Sequence, residues 1–148
     1  ALGFAYLEQG RLQEAASRFQ RTVRLDPDFA RGYCGLAQVF AAGGNWPAAV
    51  EAYEHATRMQ PDLSMAWMGL GAASYRIGQG EEAIAAYEQA LALDAETPEA
   101  LASLGEVYSG LERDEEAIAV WSQLLLQNPR HPQAGTWIAR SRERLAGK

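Results

Sequence analysis

The sequence contains two histidines, the residue type most often used for acid–base catalysis and metal binding. His55 follows Glu51 by four residues, which on a helix places an imidazole beside a carboxylate, as acid–base catalysis or metal binding requires. No third ligand or nucleophile stands in a matching position, so we interpret this pair as solvent-facing. His131 lies between Arg130 and Pro132, and we interpret it as a linker residue.

One cysteine and one acidic run complete the candidates. Cys34 is the only cysteine, which excludes an internal disulfide and a cysteine-rich metal site, and no histidine stands in register to activate it. The run Asp114-Glu115-Glu116 opens a predicted helix, where carboxylates interact favourably with the positive end of the helix dipole. The sequence therefore predicts a protein that is not an enzyme and that uses no cofactor and no metal.

Composition and charge narrow the classes of partner. The chain has 148 residues, of which 48% are hydrophobic, so we expect a folded domain with a continuous core. The net charge is −6, and the acidic excess lies in residues 64–131, which makes the body of the chain a poor match for nucleic acid. The longest interval without a charge, residues 32–50, is broken by glycines and a proline, so no membrane span is predicted.

The sequence repeats with a period of 34 residues, and this repeat predicts the helices that carry the side chains discussed above. Small, aromatic and leucine positions recur in register along the whole chain. They are Leu2-Gly3, Leu36-Ala37, Leu70-Gly71 and Leu104-Gly105, then Ala15, Ala49, Ala83 and Ala117, then Phe19, Tyr53, Tyr87 and Trp121. Pro27, Pro61 and Pro129 close three units, and Ala95 stands at the fourth such position. Each unit is predicted to be two amphipathic helices that complete their core only by stacking on a neighbouring unit.

The unit from Met65 to Asp94 carries Trp67, Leu70, Gly71, Ala83 and Tyr87 in the pattern W-x2-L-G-x2-Y…A-x3-F…P, so the chain resembles the tetratricopeptide repeat (TPR) family. The resemblance covers essentially the whole chain. It implies an all-α fold, a right-handed superhelical solenoid of helix-turn-helix repeats. We predict a single repeat domain at 1–148, with repeats at 1–29 (truncated), 30–63, 64–97 and 98–131 and a capping helix at 132–148.

The sequence departs from the family pattern at three positions. Tyr33 and Leu101 stand where tryptophan is usual, and Ser74 replaces an aromatic residue. The aromatic residues at the equivalent positions are Tyr6, Phe40 and Tyr108. None of the departures puts a bulky charge into an interface, so we expect the fold to tolerate them.

Helix ends are predicted from capping residues. Helices are expected near 1–9, 12–25, 29–42, 46–59, 63–77, 80–93, 98–110, 114–127 and 132–145. First helices are predicted to end at Gly10, Gly43-Gly44, Gly78 and Gly110, and helix starts to be capped by Asp28, Thr97 and either Asp62 or Ser64, with Pro47, Pro98 and Pro132 in first turns. In the last helix, Ala134, Ile138, Ser141 and Leu145 are expected to face the core, whereas Arg144 is expected to be solvated.

In TPR arrays, the resemblance implies, the first helices line a concave groove that holds a peptide. The predicted peptide-binding groove is lined by Arg31, Cys34, Gln38, Met65, Met68, Ala72, Tyr75, Arg76, Glu99 and Glu106. It would be apolar in the middle, basic at its two arginines and acidic at its two glutamates. Some family members bind heat-shock chaperones through lysines and asparagines, but the matching positions here hold Phe4, Gly35, Met65 and Gly69, which argues against that partner.

Three functions remain open at this point. We predict a non-catalytic scaffold that binds a protein or peptide partner of unknown identity. The first alternative is a self-assembly or structural module, in which Leu2, Phe4 and Leu7 at the N-terminal end mediate self-association. The second is the substrate-selecting arm of a larger enzyme. The sequence does not fix the location: a cytoplasmic one is slightly favoured, and a periplasmic one stays open because the chain opens inside a helix.

Overall fold

The computed structural model describes residues 2–94 and 97–147, and within these ranges the chain forms nine α-helices and no strand. The helices are α1 (Leu2–Glu8), α2 (Leu12–Leu25), α3 (Ala30–Ala42), α4 (Trp46–Met59), α5 (Ser64–Arg76), α6 (Gly80–Leu93), α7 (Pro98–Gly110), α8 (Asp114–Gln127) and α9 (Ala134–Ala146). The predicted boundaries agree to within two residues. Ala95, which stands at the fourth proline position, lies outside the described residues.

The helices form a linear array. Four hairpins, α1/α2, α3/α4, α5/α6 and α7/α8, are followed by the single helix α9, and we call the first helix of each hairpin the A helix and the second the B helix. Each A helix contacts the next A helix, and each B helix contacts the A helices on both sides of it. No two B helices contact each other within the described ranges. The A helices therefore line one side of the array and the B helices the other, as in a solenoid.

An aromatic side chain from each B helix fills space left by small residues of the A helices. The Phe19 ring lies between Gly3 and Gly35, where an added Cβ on either glycine would overlap it. Tyr53 packs in the same way against Gly69 of the next hairpin. This packing explains why small and aromatic residues recur at the same interval of 34 residues.

Helix α9 covers the end of the array, as predicted. Ala134, Ile138 and Ser141 are buried against the last hairpin. Two details of the predicted helix are wrong. Leu145 is 37% exposed instead of facing the core, and Arg144 turns inward, where its Nε donates to Oδ1 of Asp114 at 2.8 Å. A half-buried arginine thus replaces the predicted leucine contact because a buried carboxylate lies opposite it.

In three of the four hairpins, one of the predicted glycines has a left-handed backbone in the turn between the A and B helices. Gly10, Gly44 and Gly78 have φ values of 70°, 78° and 82°, which glycine adopts without a steric penalty. In the fourth hairpin α7 ends at Gly110, as predicted, but the residue with a left-handed backbone is Glu112, with φ 56°. Glu112 keeps the 34-residue register of the three glycines.

The predicted side-chain caps are wrong at most helix starts. Neither Asp28, Asp62 nor Ser64 occupies a cap position, and the Thr97 hydroxyl donates to the Asp94 carbonyl instead of accepting from its helix. Asn45 does cap α4, since its Oδ1 accepts from the Ala48 amide at 3.4 Å. The last helix begins two residues after Pro132, and Nδ1 of His131 accepts from the Ala134 amide at 3.3 Å. His131 is therefore a capping residue as well as part of a linker.

Candidate functional site

The predicted groove lies along the A helices α3, α5 and α7, which are neighbours in the array. The middle one of these helices, α5, presents an apolar and open surface: Met65 is 38% exposed, Tyr75 is 39% exposed, and Met68 is half-buried. Nε2 of Gln38 on α3 lies 3.9 Å from Sδ of Met65 on α5, a contact that joins the two helices across the groove. Large apolar side chains are thus exposed where the described part of the chain offers no element to cover them.

The structure sorts the predicted groove residues into three classes of exposure. Gln38 and Met68 are half-buried and Cys34 is buried. The remaining predicted residues are exposed: Arg31, Met65, Ala72, Tyr75, Arg76, Glu99 and Glu106. Most of the predicted groove is therefore accessible to a partner.

Cys34 is the exception, and its place in the groove was wrongly predicted. It belongs to the core cluster that contains Tyr53 and Ala66, and none of its surface is exposed. Burial is the main cause that raises the pKa of the Cys34 thiol, to about 11. The thiol is consequently protonated at neutral pH and serves as a small packing residue.

The two ends of the groove carry different charges. Arg31 lies at the start of α3, whereas Arg76 ends α5, so the two basic positions lie at opposite ends of neighbouring A helices. Arg76 is already engaged, because its Cζ lies 4.6 Å from the centre of the Trp46 ring. Glu99 and Glu106 place negative charge along α7. The groove is therefore basic at the α3 side and acidic at the α7 side, with Arg76 held at the rim.

Tyr75 also lies at the rim and reaches the next A helix. A Cβ added at Gly110, the last residue of α7, would overlap the Tyr75 hydroxyl group. The small residue thus admits the tyrosine ring at the end of the groove. The sequence signal for this contact is Gly110, which the sequence analysis interprets only as a helix end.

The side chains that were considered for catalysis or metal binding make structural contacts instead. The His55 ring stacks on the Tyr33 ring, with 5.2 Å between the ring centres. The Asp114 carboxylate pairs with Arg144, and the Glu116 carboxylate pairs with Arg113. Within the described ranges, no group of three His, Cys, Asp or Glu side chains is placed to hold a metal ion. None of the helices in those ranges is long and apolar enough to cross a bilayer.

Two cavities were not predicted. The first, about 480 Å³, lies at the end formed by α1, α2 and the start of α3, beside the exposed side chains of Leu2, Leu25 and Phe29. The second, about 540 Å³, lies between the B helices α4 and α6. Its lining includes Ser74, so the departure from the repeat pattern at this position was the signal that could have revealed it.

Comparison with known structures supports the architecture. MamA superposes with a TM-score of 0.91 at 21% identity, over 99% of this chain and 85% of that one. TTC0263, a thermophilic TPR protein of Thermus thermophilus, gives a TM-score of 0.77 at 25% identity, over 95% and 77% of the two chains. YrrB, described as a TPR protein with an unusual peptide-binding site, gives 0.87 at 18% identity, over 99% and 75%. The predicted right-handed superhelical TPR solenoid is confirmed.

A comparison with protein families gives the narrower assignment. Curated protein sequences yield no significant match. The family model for the C-terminal domain of cilia and flagella-associated protein 70, a TPR family, matches residues 1–137. The chain therefore belongs to the family of the cilia and flagella-associated protein 70 C-terminal TPR domain.

Proposed function

We propose that this protein is a non-catalytic scaffold whose concave groove, formed by α3, α5 and α7, holds a peptide segment of a partner protein. One observation carries the proposal: Met65 and Tyr75, two large apolar side chains, are each more than a third exposed on α5, the middle one of these three helices. Apolar side chains exposed together on one surface are typical of sites that bind other proteins. The peptide-binding site reported for the structurally similar YrrB supports the same use of the fold.

The chemistry of the groove suits a peptide with an apolar centre. Met65 and Met68 are flexible side chains that adapt to irregular surfaces, and Tyr75 adds an aromatic ring with a hydroxyl group. Gln38 is half-buried beside them and offers an amide to a peptide backbone. The opposite charges of Arg31 and of Glu99 would orient a charged peptide along the array.

The test is capture of partners from the lysate of the source cell, with Met65→Glu as the disrupting variant. Met59→Glu is a matched control, because Met59 is similarly exposed, at 36%, but lies on the B helix α4. We expect a partner that the wild type and Met59→Glu retain and that Met65→Glu loses, with equal helicity of all three proteins. A peptide mapped from that partner should bind Met65→Glu at least about tenfold more weakly. Equal retention by all three proteins would show that the groove is not the binding surface.

Self-association is a second candidate function. The end formed by α1, α2 and α3 carries the cavity of about 480 Å³ and exposes 61% of Leu2, 77% of Leu25 and 41% of Phe29. We expect Leu25→Glu to lower the sedimentation coefficient at high protein concentration if copies associate through this end. A coefficient independent of concentration in the wild type would refute this candidate. The role as the arm of a larger enzyme stays a prediction.

A further inference from the structure

The first hairpin carries a set of three interacting side chains at its turn. Tyr6 lies in the last turn of α1, Arg11 directly precedes α2, and Glu14 lies in the first turn of α2. The Cζ atom of Arg11 lies 4.5 Å from the centre of the Tyr6 ring, and its Nε donates to Oε1 of Glu14 at 2.9 Å. The arginine is thus held by a cation–π contact on one side and a carboxylate on the other.

The fourth hairpin repeats this arrangement 102 residues later. Tyr108, Arg113 and Glu116 make the same contacts, with 4.9 Å from the Arg113 Cζ to the ring centre and 2.9 Å from its Nε to the Glu116 carboxylate. Here the Tyr108 hydroxyl also donates to Oε1 of Glu88, on the preceding B helix, at 3.1 Å. One tyrosine and one arginine therefore occupy the space between consecutive B helices and bind the carboxylates of Glu88 and Glu116, and the arginine also pairs with Glu81 on α6.

The third hairpin and the B helix before it, α4, keep the equivalents of Glu116 and Glu88 but lack the tyrosine and the arginine. Counting back 34 residues, Ser74 replaces the tyrosine and Gln79 replaces the arginine, while Glu82 and Glu54 stand where Glu116 and Glu88 do. Within the described ranges no cation pairs with Glu82, and Glu54 has only a long contact of 3.6 Å with Arg58. The two acceptors thus remain without the donors that their equivalents have in the fourth hairpin.

The missing side chains leave a cavity. All four of these residues line the space of about 540 Å³ between α4 and α6, a size typical of ligand sites. Its remaining lining is mostly apolar and comes from Trp67, Leu70, Ala85 and Ala86, with Gln89. On α5, Trp67, Leu70 and Ser74 lie on the side of the helix opposite Met65, Met68 and Ala72, so the cavity faces away from the concave groove.

We propose that this cavity binds a segment of another protein that presents a tyrosine and an arginine side chain close together. The segment would supply from outside the pair that the first and fourth hairpins supply from within the chain. The tyrosine ring would pack on Trp67 and Leu70 with its hydroxyl group toward Glu54, and the arginine would stack on that ring and pair with Glu82. The acidic rim favours a basic segment over an acidic one.

The test follows the indole N–H signals of ¹⁵N-labelled protein during titration with the peptide acetyl-Tyr-Gly-Arg-amide. Trp67 lines the cavity, whereas Trp46, Trp121 and Trp137 lie elsewhere and serve as internal controls. We expect a saturable shift of the Trp67 signal alone. Peptides with alanine in place of tyrosine or of arginine should need at least about tenfold higher concentrations for the same shift.

Variants of the protein separate this site from the groove. Glu82→Gln should weaken binding of the peptide about tenfold, whereas Met65→Glu, in the groove, should leave it unchanged. The double variant Ser74→Tyr with Gln79→Arg should fill the cavity from within, abolish the Trp67 shift and raise the midpoint of thermal unfolding. If the double variant fails to fold, the Glu82→Gln comparison decides.

Three outcomes would overturn the proposal. The first is a Trp67 signal that does not respond to the peptide up to about 10 mM, which is above the range of weak specific binding. The second is an equal response in the wild type, Glu82→Gln and the folded double variant. The third is a shift of Trp67 with protein concentration in the absence of peptide, which would identify a second copy of this chain as the occupant.

Discussion

Asp114, the buried first residue of α8, accepts hydrogen bonds from both Nε and Nη2 of Arg144 on the last helix. The Asp114 side chain has no exposed surface, while the Arg144 side chain is 32% exposed. The same guanidinium lies 3.3 Å from the Ser141 hydroxyl oxygen. This ion pair therefore connects α9 to the last hairpin and places a charged residue where the sequence suggested only helix-start electrostatics.

Removal of Arg144 should destabilise the array. In Arg144→Ala the buried carboxylate of Asp114 loses its cation, and we expect the midpoint of urea unfolding to fall by about 1 M. Arg142→Ala is the matched control, because Arg142 lies on the same helix but is exposed, and it should leave the midpoint nearly unchanged. Equal midpoints for the two variants would mean that the ion pair contributes nothing to stability.

A methyl group at Gly35 should disturb the packing of Phe19. The added Cβ would overlap the ring, so we expect Gly35→Ala to lower the free energy of unfolding by about 1–3 kcal/mol. Gly135→Ala on α9 is the control, since nothing lies within 4 Å of its added Cβ. That change should raise stability by about 0.5–1 kcal/mol, because alanine favours a helix more than glycine does. A stabilising Gly35→Ala would contradict the packing described above.

Glycine should be preferred over glutamate at position 112. Glu112 has a left-handed backbone that costs a non-glycine residue energy, so Glu112→Gly should raise the free energy of unfolding by about 1 kcal/mol. At the equivalent position of the second hairpin, Gly44→Ala should lower it by a similar amount. Chemical denaturation followed by circular dichroism measures both changes, and a destabilising Glu112→Gly would show that the glutamate side chain has a role of its own.

Stability should fall in mildly alkaline solution because of Cys34. Burial raises the pKa of this thiol from 9.0 to about 11, so the folded chain keeps a proton that the unfolded chain has already lost. The free energy of unfolding therefore decreases as pH rises above 9.0, by up to about 1.4 kcal/mol per pH unit. Urea unfolding between pH 8 and 10 measures this slope, and Cys34→Ala should flatten it. An identical slope in that variant would assign the effect to other groups.

The 34-residue period predicted the fold because it encodes contacts between residues that are close in sequence. Small residues at Gly35 and Gly69 and rings at Phe19 and Tyr53 must meet if the helices stack in register, and they do. The helix boundaries followed from the same register. Capping was predicted less well because most helix starts have no side-chain cap. The local sequence does not show whether a polar side chain near a helix start will bond to the helix amides.

The candidate site could be predicted only in outline. The direction of a side chain on its own helix is readable from spacing, but its depth depends on the neighbouring helix, and Cys34 is buried in a core cluster that includes Ala66. The cavity at Ser74 likewise depends on two B helices that are not adjacent in sequence. Its clue, a missing aromatic residue, gained meaning only when the contacts of Tyr108 in the fourth hairpin were known.

The ring of Phe19 touches an A helix on each side, so a single side chain belongs to two hairpins at once. When one hairpin unfolds, its neighbour also loses packing contacts. Partly unfolded arrays are therefore high in free energy. Unfolding is therefore expected to be strongly cooperative across the middle of the array. Deletion of a central hairpin would remove its two interfaces with neighbouring hairpins and create one new interface in their place. Insertion of a further hairpin with the same glycines and aromatic ring would lengthen the cooperative unit.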